Sequence, residues 1–336
     1  MWRPSPRAGR RIKIAISLML VGGLLYFLDT ASLRASLKEI KLSYVLLAFA
    51  MVVTNRILMP VKWNMLLRAR GIHVSNFDAV RVYTMSSFLG LVLPPTVGAD
   101  SIRSYYLKRA GLRLSDVVAS IAIERVFGLL VLLVFTIAGF AILVDLLRDG
   151  AIHTMAFAGL LTVISVGALA AVSISFSSRM QTIVGYLVDR IQSSRLSKLA
   201  RGAEKFLQAY QEHRHKKRIL AIFCLLTGLE LLLVIVRSYV IALALGVDLS
   251  LMIFFAFLPL VTLLNRMPIS FDGFGINEAL FIYFLGLFGV LPEKAFLIGF
   301  VNHIIFLIGI MPGGIFYVMS GSDKPSGSDR PGALHK

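Results

Sequence analysis

The chain alternates between long apolar blocks and short stretches that are basic or rich in Gly and Pro. The apolar blocks cover residues 12–28, 42–59, 80–93, 117–144, 155–176, 219–245, 251–264, 276–290 and 295–318. Most are apolar on every side rather than striped at helical spacing. That is the signature of a helix with lipid on one side and protein on the other. The pattern predicts an all-α polytopic membrane protein with about eight transmembrane helices plus re-entrant or broken helices. No small-x-small cleavage site closes the first block, so it is read as an uncleaved first helix.

Composition sharpens this picture. Hydrophobic residues make up 57% of the 336 residues and charged ones 16%, which is too apolar and too weakly charged for soluble domains. The single cysteine, Cys224, excludes a disulfide scaffold. The formal charge of +17 would point to nucleic acid in a soluble chain. Here the basic residues lie between apolar blocks, where cytoplasmic loops and anionic headgroups account for them. No nucleic-acid partner is expected.

Loop charges give an expected orientation. Residues 177–218 carry ten basic and three acidic side chains and read as a cytoplasmic amphipathic and basic loop. The stretches 62–70 and 101–115 are also basic. Both ends of the short block 80–93 would then lie on one side, which makes it re-entrant. The reading is one integral membrane domain over residues 1–320, with both termini cytoplasmic and a disordered tail at 321–336. The expected location is the bacterial cytoplasmic (inner) membrane.

Two segments break the apolar pattern. The first is Leu93-Pro94-Pro95-Thr96-Val97-Gly98-Ala99-Asp100, followed by Arg103. The second runs from Asn265 and Arg266 through Pro268, Ser270, Asp272, Gly273 and Gly275 to Glu278. Each follows a short apolar block, and together they read as a weak internal repeat, inverted in the bilayer. Paired interruptions of this kind point to a transporter's binding site, because irregular backbone at membrane depth must be buried in protein or line a wet cavity. Ordinary surface turns are the alternative. Charges inside apolar context add to the picture. Glu124 and Arg125 lie early in the 117–144 block, and Arg56 lies late in the 42–59 block. Glu124 could meet Arg103 or Arg266, and Arg125 could meet Asp100, Asp272 or a lipid phosphate. A structural ion-pair network and a substrate site remain equally open. Arg56 could snorkel to the interface or contact a headgroup. Arg237 needs a partner, with Glu230 a candidate. No metal-ligand spacing and no P-loop, GxGxxG, GxSxG or HExxH motif occurs, so no metal or cofactor is expected.

These residues carry a resemblance. Arg56 with Trp63 comes first, then Leu93, Pro94, Gly98, Asp100 and Arg103, and then the pair Glu124-Arg125. A late run holds Pro268, Ser270, Gly273, Gly275 and Glu278, and a terminal Pro312-Gly313-Gly314 closes the series. In order and spacing the chain resembles the membrane family named for the transmembrane region of lysylphosphatidylglycerol synthase. That family is also called flippase-like integral membrane family 0104. It departs from the family pattern at Pro95, Ala99 and Asn277, the last standing where an arginine is common. The resemblance covers roughly residues 10–320. It implies handling of a lipid or lipid-linked substrate, without the soluble transfer domain of the synthases.

The expected function is a flippase-like transporter for an anionic phospholipid or a polyprenyl-phosphate-linked lipid in envelope biogenesis. The expected substrate-binding residues are Arg56, Pro94, Gly98, Asp100, Arg103, Glu124, Arg125, Arg266, Ser270, Asp272, Gly273, Gly275 and Glu278. Among them Arg56, Arg103 and Arg125 would bind phosphate. Two alternatives stand beside this reading. One is a non-catalytic membrane partner of a lipid or glycan synthase. The other is an intramembrane lipid-modifying transferase using Asp100, Glu124 and Glu278, although no activated nucleophile supports an enzyme.

Overall fold

The computed structural model describes residues 15, 18–26, 28–91, 98–147, 208, 212, 216–266 and 272–322. Every regular element among them is helical: α1 (Leu18–Tyr26), α2 (Thr30–Lys38), α3 (Leu42–Arg68), α4 (Asn76–Gly90), α5 (Gly98–Arg109), α6 (Leu114–Leu146), α7 (Lys217–Ala244), α8 (Leu251–Leu264), α9 (Ile276–Gly286), α10 (Pro292–Ile310) and α11 (Pro312–Ser322). The expected span at 155–176, most of the basic loop at 177–218 and most of the tail lie outside the described residues, as do Pro94 and Ser270.

Local chemistry sets the helix starts. Asp29 caps α2 by accepting hydrogen bonds from the Ala31 and Ser32 amides at 3.0 and 3.1 Å. Ser75 caps α4 through the Asp78 amide at 3.0 Å, and Ser250 caps α8 through Met252 at 3.2 Å. Pro292 opens α10, where its missing N–H costs nothing. Before α9 the chain turns through three positive φ angles, at Asp272 (51°), Gly273 (84°) and Gly275 (84°). Two of the three are glycines, which adopt that region without strain.

Four stretches are long and apolar enough to cross a membrane: α3, α6, α7, and α10 with α11 counted together as Pro292–Met319. The pair α1 and α2 makes a fifth only as a broken span, bent by 97°. The protein is therefore a multi-pass all-α membrane protein. The expectation of about eight full spans is corrected to four or five among the described residues, because two blocks counted as spans, 251–264 and 276–290, yield short helices, as does the block 80–93 that reads as re-entrant; the block 155–176 is outside that count. α4 has 15 residues, α8 has 14 and α9 has 11. At 1.5 Å per residue these reach about 22, 21 and 16 Å, against a hydrocarbon core of about 30 Å. They are broken or re-entrant elements packed inside the bundle. α8 shows this directly, since eight of its residues, from Ile253 to Val261, are buried.

Contacts fix the helix directions. The Lys41 amide donates to the Ala244 carbonyl at 3.0 Å, so the start of α3 meets the end of α7. At the other end Arg70, just after α3, pairs with Asp116 at the start of α6. Arg68, Arg70, Arg113, Lys216, Lys217 and Arg218 thus collect at one end of the bundle. The opposite end carries Lys41, Asp145, Asp248, Glu293 and Lys294, a mixed set. Glycines allow the tight crossings. A Cβ on Gly139 of α6 would come within 2.6 Å of the Phe255 carbonyl of α8, and one on Gly313 within 2.3 Å of the Thr84 carbonyl of α4. The largest apolar core runs from α3, α6 and α7 to α8, α9 and α10, with Phe257 stacked on Phe284 at 5.4 Å and edge-on to Phe281 at 5.6 Å.

Candidate functional site

The charged residues expected near the first break form a closed cluster. Arg103 of α5 is 2% exposed, and its guanidinium lies over the rings of Trp63 and Tyr83, 4.5 and 4.6 Å from their centroids. One nitrogen donates to Glu124 and another to Asp100, both at 2.8 Å. Arg125 reaches the same aspartate with two hydrogen bonds, at 2.9 and 3.1 Å. The Tyr83 hydroxyl donates to the other Glu124 oxygen at 2.9 Å. The Trp63 indole N–H donates to Ser120 at 3.1 Å. Two carboxylates thus meet two guanidiniums, and the cluster is neutral. It ties α3, α4, α5 and α6 together about 15 Å into α6 from its basic end. Gly98 begins α5, where α5 meets the end of α4: a Cβ on Gly90 would lie 2.9 Å from that of Ala99.

A second polar group surrounds a cavity of about 330 Å³ between α3, α7, α8, α9 and α10. It includes Arg56, Arg237, Arg266, Glu230, Asp272 and His303. Arg56 sits near the middle of the 27-residue α3, so the cavity lies at mid-depth. Its guanidinium covers the Phe306 ring at 4.2 Å, and its Nη2 has no hydrogen-bond partner among the described residues. Arg237 donates through Nε to the side-chain oxygen Oδ1 of Asn302 at 3.1 Å, a neutral acceptor. Glu230, the partner expected for Arg237, instead pairs with Lys62, which also donates to Thr227 at 3.1 Å. No ion pair joins Arg56, Arg237 or Arg266 to an acid among the described residues.

The acids of the second break sit across the cavity. His303 lies between Glu278, 3.3 Å from Nδ1, and Asp272, 3.6 Å from Nε2, and stacks on Phe274 at 3.8 Å. Glu278 is fully buried, and its other oxygen accepts the Gly275 amide at 2.6 Å, capping α9. Three arginines and Lys62 face three carboxylates, those of Glu230, Asp272 and Glu278, so the cavity is positive even with His303 neutral. The two polar groups share α3, which supplies Trp63 to the first and Arg56 to the second.

The structure therefore divides the expected residues. Arg56, Arg266 and Asp272 line the cavity, and Glu278, Gly273 and Gly275 build its wall. Asp100, Arg103, Glu124 and Arg125 form the neutral cluster. Arg237, Asn302 and Lys62 complete the polar interior; Arg237 stands out in the sequence as a charge deep in an apolar block, and Asn302 lies with His303 inside the block 295–318. Asn55 and Asn265 also line the cavity. Asn265 opens the second break of the sequence, whereas nothing in the apolar pattern marks Asn55 as functional.

Comparison with known proteins agrees with this architecture. Residues 12–314 match the family described as the lysylphosphatidylglycerol synthase TM region. The chain is also similar to a UPF0104 membrane protein of Methanothermobacter thermautotrophicus, at 23% identity over 295 residues, or 84% of this chain and 86% of that one. The matched region takes in both breaks, the ion-pair cluster and every residue of the cavity, and on that extent the chain belongs to the lysylphosphatidylglycerol synthase transmembrane-region family.

Proposed function

We propose that this protein is a flippase-like transporter that takes the phosphate of an anionic phospholipid or a polyprenyl-phosphate-linked lipid into the mid-depth cavity. The observation that carries this reading is the set Arg56, Arg237 and Arg266 around one cavity without carboxylate partners among the described residues. A charged side chain at bilayer centre costs about 2.5–3.5 kcal/mol on insertion scales. Arg56 at mid-helix and the buried Arg237 call for an anion as compensation, with the more exposed Arg266 beside them. Arg56 and Arg237 are the phosphate ligands, Arg266 receives the headgroup, and Asp272 with His303 borders the bound group. By the positive-inside rule the basic end of the bundle faces the cytoplasm. α11 runs toward that end, packed on α4, which agrees with a cytoplasmic C-terminus.

The test is binding of short-chain anionic phospholipid to the full chain in nanodiscs, against a choline lipid of equal chain length. Arg56→Gln and Arg237→Gln should each weaken the anionic lipid at least tenfold and leave the choline lipid unchanged. Equal binding of both lipids by the unaltered protein would refute the reading and favour a partner protein for a lipid or glycan synthase.

A further inference from the structure

His303 of α10 is held between two carboxylates at the wall of the cavity. Its Nδ1 lies 3.3 Å from a Glu278 oxygen, and its Nε2 lies 3.6 Å from an Asp272 oxygen. Phe274, stacked on the imidazole at 3.8 Å, holds the ring in this plane. A neutral imidazole carries one N–H and one lone pair. Whichever nitrogen holds the hydrogen, the other then turns its lone pair on a carboxylate oxygen, and two acceptors that face each other repel. Both contacts are favourable only when the trio holds one proton more than a neutral imidazole and two carboxylates. That proton makes the ring an imidazolium, or makes one carboxylate an acid that donates to the ring. The observed contacts are those of the loaded trio.

The three groups differ in their access to water. Glu278 is fully buried, and its second oxygen already accepts the Gly275 amide at 2.6 Å. His303 is buried as well, whereas Asp272 is exposed and lines the cavity. A proton from the cavity therefore enters at Asp272 and reaches Glu278 through the imidazole. The other charged groups facing His303 across the cavity are Arg56 of α3, Glu230 and Arg237 of α7, and Arg266 after α8. The helices α2, α4 and α11 also pack on α10 and supply no residue to the cavity lining. Arginine keeps its charge in proteins, and Glu230 is paired with Lys62. That leaves the trio as the part of the lining that takes up and releases a proton.

We infer that His303, Asp272 and Glu278 form a proton-binding site coupled to the anion cavity, so that a proton and an anion are bound and released together. This rests on the anion reading above and adds a second cargo to it. The unloaded trio carries two negative charges and the loaded trio one. Loss of the proton therefore places one more negative charge beside the anion and weakens its binding. By linkage the effect is reciprocal: a bound anion tightens the proton by the same factor as the proton tightens the anion. The proton comes from water and returns to it, and no other bond forms or breaks.

The experiment measures binding of short-chain phosphatidylmethanol to the full chain in nanodiscs from about pH 6 to about pH 10, a range that brackets the ordinary titration of histidine. A pH dye in weak buffer reports protons taken up on binding. The probe is a phosphodiester whose single charge is constant over that range, so a pH dependence belongs to the protein. Affinity should fall about tenfold toward the alkaline end, a coupling of ordinary size, and there the dye should show proton uptake in step with binding. His303→Gln and Glu278→Gln each remove a titrating member of the trio and should bind the probe with neither slope nor uptake. The uptake measured on the unaltered protein decides the question even where a variant does not fold. Level affinity without proton uptake in the unaltered protein overturns the proton site and leaves the anion reading standing. A slope that persists in both folded variants overturns the assignment to this trio. No binding of the probe at any pH removes the anion reading and the proton site together.

Discussion

Arg103→Ala is expected to unfold the protein far more readily than Arg56→Ala, although both remove an arginine from the bundle interior. Arg103 is 2% exposed and holds two charge-assisted hydrogen bonds of 2.8 Å. Breaking a buried ion pair by deleting one partner costs about 3–5 kcal/mol, because the other charge is left uncompensated. Two stacked aromatic faces add to the loss, each about 0.5–2 kcal/mol. Some compensation remains, since Glu124 keeps the Tyr83 hydroxyl and Asp100 keeps Arg125. The loss should therefore fall near about 3–4 kcal/mol. At about 2 °C per kcal/mol for a chain this size, the apparent Tm falls by roughly 6–8 °C. Arg56 has no ion pair to break among the described residues, and its removal lifts an uncompensated charge out of the bundle. Its Tm should hold or rise by a few degrees. The assay is thermal unfolding of purified protein in one detergent, at one scan rate, because such transitions are often irreversible. A drop under about 2 °C for Arg103→Ala, or a larger drop for Arg56→Ala, would refute the division into a structural cluster and a ligand cavity.

Three further outcomes follow from the packing. Lys62→Met leaves Glu230 without its partner and should cost about 3 kcal/mol, with much of it recovered in the double variant Lys62→Met/Glu230→Leu, read from denaturation midpoints. Gly313→Ala drives a Cβ to within 2.3 Å of the Thr84 carbonyl and should cost about 1–3 kcal/mol by forcing α11 off α4, again read as a midpoint shift. Glu278→Gln can still accept the Gly275 amide, whereas Glu278→Ala cannot, so the alanine variant should lose about 1 kcal/mol more by the same measurement.

Much of the architecture was legible in the sequence because lipid is a demanding solvent. Apolar runs 117–144 and 219–245 had to become long helices, and α6 and α7 begin and end within three residues of them. The block 251–264 became α8 with the same limits, yet it does not cross. Apolar character alone cannot separate a short span from a short helix buried in protein. Only the reach of the helix against membrane thickness does so. The Glu124–Arg103 and Arg125–Asp100 contacts were among the pairings open in the sequence, since charges at that depth need opposite charges. Their neutrality as a group was not legible, because it depends on which arginines they exclude. Arg237 went to Asn302 rather than Glu230 because Lys62, four residues before Leu66 on α3, faces Glu230 across antiparallel helices. The helix directions decide that contact, and no local pattern encodes them.

The central claim is that an anionic lipid headgroup is carried through the cavity by Arg56 and Arg237. It is tested most directly by translocation of a labelled anionic phospholipid and a labelled polyprenyl phosphate across proteoliposomes of the purified full chain. The account predicts movement of at least one of them, a loss of tenfold or more in Arg56→Gln and Arg237→Gln, and thermal stability in those variants equal to that of the unaltered protein. Full translocation by both stably folded variants, or no translocation of either lipid by the unaltered protein, would contradict it.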